Sequence, residues 1–369
     1  MLQLVERVEV VPLAAKAAPG RRTRARMQAQ ARAIVLGTVA FFVFAQVGLR
    51  VVIESLRPEL RDPAFEIKYR QYSRLKSKFG PTTATVLFMG SSLTAHGIKA
   101  DVVDQPASAA LGRPAIGFNL GTNASGPFTQ LIYLQRLLRR GAKPDLVILE
   151  LSPIFYDFPE APNDIDRFPA QVLSRADLDT VARHVRQPDK LRDAWWRCCV
   201  VPIRGHRLTI LNQTVQIMVP YPDRVELSED MDAHGWRRRE RPAAAEYAAI
   251  LERIKQGFGP RLANFKVCQP PMQKLWELAD LLASERIPTV LVAMPDGPMM
   301  RSLYAPAALD SLMHEFAELS RKHGFPLIEA RSWFDEDQFV DSYHLTDQAA
   351  RDFTERLVRE AILPRLRAD

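Results

Sequence analysis

Two short segments carry residue types that can act together on a carbonyl group. The first is Gly90-Ser91-Ser92-Leu93, which follows the apolar run Val86-Leu87-Phe88-Met89. A serine where a buried parallel strand turns into a helix sits at the strand's carboxyl edge, where ligands bind in open α/β sheets. The helix start presents backbone N–H groups to a developing oxyanion, and Gly90 permits a tight turn and close approach. The second segment is Asp341-Ser342-Tyr343-His344, followed by Leu345 and Thr346. Three residues of separation in a turn bring a carboxylate within reach of a histidine Nδ1, which fixes the tautomer and stabilises the imidazolium. Thr346 is placed to cap a helix with Asp347 in its first turn. Read singly, the first segment is equally a polar turn with a serine N-cap, and the second a surface loop with ordinary capping. Read together they offer a serine, a histidine and a carboxylate, the residue types of nucleophilic acyl chemistry.

Positioning them requires a scaffold. Apolar runs over 86–89, 115–120, 146–149, 289–294 and 326–329 read as strands, several buried on both faces. Helical spacing follows Pro127 up to the stop at Gly141, and recurs over 275–282, over 305–322 and from about 347. Strands alternating with helices predict an α/β fold with a central parallel sheet. Residues 155–270 break the pattern with many prolines, Trp195-Trp196 and Trp236-Arg237-Arg238-Arg239, and read as a mostly helical insertion. The tryptophans and arginines there form either a surface for a glycan or anionic partner, or a packed cap with a solvated basic face.

The net charge of +7 does not point to nucleic acid once the charges are located. Residues 1–32 hold seven basic and two acidic groups, and so +5 of the total; the remainder is nearly neutral. Directly after this tail, residues 33–53 form an apolar stretch of the length that spans a bilayer. The flanking arginines predict a cytoplasmic N-terminus and an exported body; a buried helix or a cleaved signal peptide are the alternatives. The expected division is a basic cytoplasmic tail (1–32), a single-pass transmembrane anchor (33–53), a juxtamembrane stalk or leading helix (54–83), and a domain over 84–369 with its insertion at 155–270. Cys198, Cys199 and Cys268 leave two readings open, one disulfide or free thiols. The remaining histidines show no spacing for a metal, and no cofactor is expected. His96 reads as a solvent-facing helix residue, with a pocket-lining role as the alternative.

The two segments together resemble the SGNH (GDSL-like) hydrolases. Gly90-Ser91-Ser92-Leu93 matches that family's G-D-S-L block, with Ser91 in place of its Asp, and Asp341-Ser342-Tyr343-His344 matches its D-x-x-H block. The resemblance covers about 84–155 and 270–365. It implies a flavodoxin-like three-layer α/β/α fold, with Ser92 as nucleophile, His344 as general base and Asp341 as orienter. Phe118-Asn119-Leu120-Gly121-Thr122-Asn123 matches the block that supplies an oxyanion-hole glycine, which makes Gly121 the expected donor. The asparagine that usually follows the third strand is missing, since the chain there reads Leu149-Glu150-Leu151-Ser152-Pro153; Asn123 either replaces it or is a turn residue. With an N-terminal anchor, the chain is similar to D-alanine transfer proteins and to polysaccharide O-acetylation proteins. That similarity implies a cell-envelope serine O-acyltransferase or esterase acting on a carbohydrate or polyol ester, beside a membrane-bound O-acyltransferase. The alternative is a non-catalytic SGNH-fold protein that binds a glycan or an assembly partner.

Overall fold

The computed structural model describes residues 21–157, 164, 166–219 and 231–366. Five strands form one parallel sheet: β1 (Ala84–Met89), β2 (Ala115–Asn119), β3 (Leu146–Leu151), β4 (Thr289–Ala293) and β5 (Leu327–Glu329), in the order β2-β1-β3-β4-β5. The chain leaves β1 toward one edge and returns on the other side through β3. The reversal opens a crevice at the carboxyl ends of β1 and β3, where Met89 lies beside Leu149.

In chain order the principal helices are α1 (Arg21–Val51), α2 (Pro63–Phe79), α3 (Ser92–Gly97), α4 (Asp104–Leu111), α5 (Pro127–Arg139), α6 (Arg175–His184), α7 (Pro188–Val200), α8 (Pro202–Thr214), α9 (Ala244–Ala263), α10 (Gln269–Ser284), α11 (Pro298–Ser302), α12 (Pro306–His323) and α13 (Asp347–Leu357). Side chains alternate across the strands. Leu87, Met89, Val147 and Leu149 join the core against α2, α5, α10 and α12. Val86, Phe88, Ile148 and Val292 join a second core against α3, α4 and α13. The result is three layers, helix–sheet–helix. Pro127 opens α5, Gly141 follows it at φ 70°, and Thr346 caps α13, as the residue types predict.

Of the two readings of residues 54–83, the leading helix is the one found and not a free stalk, because α2 packs on the sheet and buries Phe65, Tyr72 and Leu75 in the first core. Arg136 pairs with Asp62 at 2.5 Å and Arg140 with Glu66 at 2.6 Å. The narrow apolar stripe of α2 lies among charged residues, several of which pair with the domain, so composition hides its buried face. The described part of the insertion is largely helical, comprising α6 to α9. It also contains a strap, residues 231–239, which bonds to the outer edge of β2 through Asn119 N and His234 O at 2.8 Å. All three cysteines are free thiols. The helix of α1 begins within the basic tail, whose first 20 residues lie outside the described range. One helix near the N-terminus is long and apolar enough to cross a membrane.

Candidate active site

The turn after β1 is shaped by a buried carboxylate. Gly90 has no room for a side chain: a Cβ there would lie 2.3 Å from Glu150 Oε2 and 2.1 Å from Thr94 Oγ1. Ser91 caps α3, accepting from Leu93 N at 3.1 Å. Glu150, near the end of β3, accepts from Ser91 N (2.9 Å), Ser91 Oγ (2.5 Å), Thr94 N (3.0 Å) and Thr94 Oγ1 (2.6 Å). Burial pushes Glu150 toward the protonated form, and the bonds from Ser91 and Thr94 oppose it. Ser91 stands where the resembled family has Asp, and in this chain the carboxylate beside the turn comes from the neighbouring strand.

Ser92 is the first residue of α3. Its Oγ lies 2.8 Å from His344 Nε2, and His344 Nδ1 lies 2.8 Å from Asp341 Oδ2. Asp341 Oδ1 also accepts from the amides of Tyr343 (3.1 Å) and His344 (2.7 Å). Burial on its own would raise Asp341, but the hydrogen bond and charge of His344, with Arg239 behind them, outweigh it and hold the carboxyl at about 2. The turn between them places Ser342 at φ 59°, an unusual conformation for a residue other than glycine. Ser342 Oγ accepts from Met300 N at 3.1 Å and donates to Glu336 at 3.0 Å, which ties the turn to the start of α11.

Arg239 and Lys68 have no place assigned from sequence, and His96 reads there as solvent-facing with a pocket-lining role as the alternative. Arg239 reaches the pair from the strap: Nη2 lies 3.0 Å from Asp341 Oδ2, and Nη1 lies 2.9 Å from His344 Nδ1. Since Nδ1–H points to the carboxylate, Asp341 is the acceptor for Arg239. His96 is not a solvent-facing residue. Its ring meets that of His344 edge-on at 5.4 Å, and its Nδ1 donates to Arg237 O at 2.8 Å. Burial, and then the neighbouring His344, lower His96 to about 4, so it stays neutral and adds no second cation. Lys68, on α2, is buried and donates to Asn119 O (2.9 Å) and Gly235 O (3.0 Å), pinning the strap to β2. Burial, then Arg237, bring Lys68 down to about 7, while Asp232 opposes them. The Trp236-to-Arg239 run therefore splits its duties. Trp236 is buried, with Nε1 bonded to His96 O at 2.7 Å, and Arg239 faces the site. The signal in the sequence was a tryptophan followed by arginines; nothing in it named the target.

The amide of Gly121, the expected oxyanion donor, already has a partner. Gly121 N–H donates to Asn119 Oδ1 at 2.9 Å, and a Cβ on Gly121 would meet Ala95 N at 2.5 Å. Its bareness lets the loop pack against α3, and its amide is committed. Asn123 is exposed, and its carbonyl accepts from Arg167. In the first turn of α3 the amides of Leu93 and Thr94 are engaged, whereas Ser92's own N–H has no partner among the described residues.

Ser92, Asp341 and His344 line a cleft of about 630 Å³. Ile250, Ile254 and Phe258, spaced four apart on α9, form one wall, and Ile154, Phe155 and Met300 another. Arg239 and Arg253 add positive charge to the lining.

No family model and no curated protein matches the chain. Among solved structures it is similar to an α/β hydrolase, LAE5, from the metagenome of Lake Arreo, Spain, at 12% identity over 77% of this chain and 96% of that one, with a TM-score of 0.33. The inhibitor-bound aryl esterase of M. smegmatis aligns at 13% identity over 75% and 97%, with a TM-score of 0.31. A mutant of the esterase AlinE4 aligns at 15% over 67% and 76%, with a TM-score of 0.29. At such scores these neighbours decide neither fold nor function.

Proposed function

We propose that the chain is an SGNH-type serine esterase or O-acyltransferase of the cell envelope, acting on a carbohydrate or polyol ester through Ser92, His344 and Asp341. The observation that carries this reading is the unbroken Ser92–His344–Asp341 relay, with both links at 2.8 Å, at a cleft with an apolar wall. The strand order, which is that of flavodoxin-like sheets, and the two matching sequence blocks also support it.

His344 Nε2 takes the proton of Ser92 Oγ as the oxygen attacks the ester carbonyl. Asp341 holds the tautomer and offsets the imidazolium charge. Ser92's uncommitted amide is the donor we assign to the oxyanion. Collapse expels the alcohol with the proton from His344 and leaves an acyl group on Ser92. The acyl group then passes to water or to a sugar hydroxyl activated by the same histidine. The helix α1 would anchor the domain with its N-terminus in the cytoplasm, beside a membrane-bound O-acyltransferase that hands over the acyl group.

A second reading, a non-catalytic glycan-binding or assembly protein, is favoured by the committed Gly121 amide and the missing asparagine after β3. A fluorophosphonate probe separates the two. The enzyme reading expects labelling of the full-length protein and its loss in Ser92→Ala. A wild-type protein that resists the probe, or a variant that still labels, would refute Ser92 as nucleophile.

A further inference from the structure

We propose that α7 and α8 form a membrane-contacting foot, whose outer face lies in the lipid interface beside α1. This rests on α1 spanning the bilayer. The foot concerns a surface away from the cleft.

The two helices pack against the last turns of α1. Gln46 Oε1 accepts from Ile203 N at 3.3 Å, and Arg50 Nη1 donates to Cys199 O at 3.4 Å. Gln46 and Ile53 are buried by these neighbours, whereas α1 stands exposed along residues 24–45. The apolar stretch over 33–53 is about as long as the hydrocarbon core is thick. It cannot slide far toward the N-terminus, because Arg24, Arg26 and Arg32 precede it. Its last eight residues, from Gln46 to Ile53, therefore occupy about the final 12 Å of the span. Whatever packs on them sits at that depth.

The outer surface suits that depth. Trp196 is 55% exposed and Val200, one turn on, 66%; Ile203 at the start of α8 is 40% exposed. A groove of about 470 Å³ runs between these helices and α1, lined by Phe42, Val43, Val47, Val51, Val200 and Val201. The apolar surface of the span is thus continuous with that of the foot. Exposed Arg197, Arg204 and Arg207 on the same helices have stems long enough to reach the headgroup layer. Interfacial helices combine these features: a tryptophan and aliphatic face with arginines beside it, seated about 5–10 Å into the headgroup boundary. Trp195, by contrast, faces inward and bonds to Leu173 O at 3.0 Å.

The test uses the full chain in vesicles of phosphatidylcholine and phosphatidylglycerol with brominated acyl chains. Bromine quenches only indoles at its depth. Part of the tryptophan emission should be quenched, and that part should vanish in Trp196→Phe, whose fold is checked by circular dichroism. Protein that floats with the vesicles without quenching, or with quenching unchanged in Trp196→Phe, sinks the foot and leaves the anchor standing; a protein partner on this face would give that result. Protein that fails to float sinks the anchor and the foot together. Fluorophosphonate labelling of Ser92 is independent of all these outcomes.

Discussion

Asp341 accepts from two backbone amides, His344 Nδ1 and Arg239. Replacing it with asparagine puts an amide donor where His344 needs an acceptor and favours the wrong tautomer. Ester turnover by Asp341→Asn should fall by about 10⁴-fold, and Ser92→Ala should fall at least as far. A pure p-nitrophenyl ester assay checks both, and a variant with near wild-type kcat would remove that residue from the chemistry. Arg239 acts one step back, holding the carboxylate from the solvent side. For Arg239→Ala a loss of roughly tenfold in kcat/KM is expected, about 1.4 kcal/mol. Arg239→Lys should restore only part of it, since a lysine cannot reproduce the planar fork. Full activity in Arg239→Ala would mean that the contact is incidental.

At the scale of elements, two buried groups hold the site's supports together. Glu150 gathers four donors from the β1–α3 turn. Glu150→Gln turns an amide toward some of those donors and should cost about 1–3 kcal/mol, read as a lower denaturation midpoint together with weaker probe labelling at Ser92. An unchanged midpoint would show the turn to be held by other contacts. Lys68 ties α2, β2 and the strap through two carbonyls. Its amine is held at about 7 against an ordinary 10.5. Between those values the unfolded chain binds the proton and the native state does not, so stability rises with pH across that window and its burial penalty is greatest below it. In Lys68→Met that rise should be absent. The stability of the wild type relative to the variant, read from denaturant unfolding, should therefore rise from about pH 7 to about pH 9.5 by on the order of 1–3 kcal/mol. A gap that narrows as pH rises contradicts this account of Lys68.

For the whole molecule, the cleft is built jointly by the sheet's carboxyl edge and the insertion, because α9 contributes Ile250, Ile254 and Phe258 to a site whose reacting groups follow β1 and precede α13. On the proposed function, size selection belongs to the insertion. Ile254→Trp should lower kcat/KM for butyryl relative to acetyl esters by about tenfold, a difference ordinary for pocket filling. An unchanged ratio would place the acyl group away from α9. Much of this architecture was legible beforehand. Apolar runs marked all five strands, Pro127 and Gly141 bounded α5, and Thr346 marked the start of α13. These are local signals, set by burial on two faces in β1 to β4 and by the backbone chemistry of proline, glycine and caps. The buried face of α2 was hidden because its apolar residues are few and widely spaced among charges. The positions of Arg239 and Lys68 were not legible, and for His96 a place at the pocket and a solvent-facing one both stayed open, because each depends on a strap whose docking is made through carbonyls that every residue possesses. The sequence by itself determined which residue types were on hand for acyl chemistry, Ser92, Asp341 and His344, and the α/β scaffold that carries them. Only the tertiary structure decided that Ser92 and His344, 252 positions apart, meet at 2.8 Å, that Arg239 joins them, and that Gly121's amide is taken. Local pattern fixes strands, caps and turns, whereas the partner of a long side chain or a backbone amide is fixed by how distant segments pack.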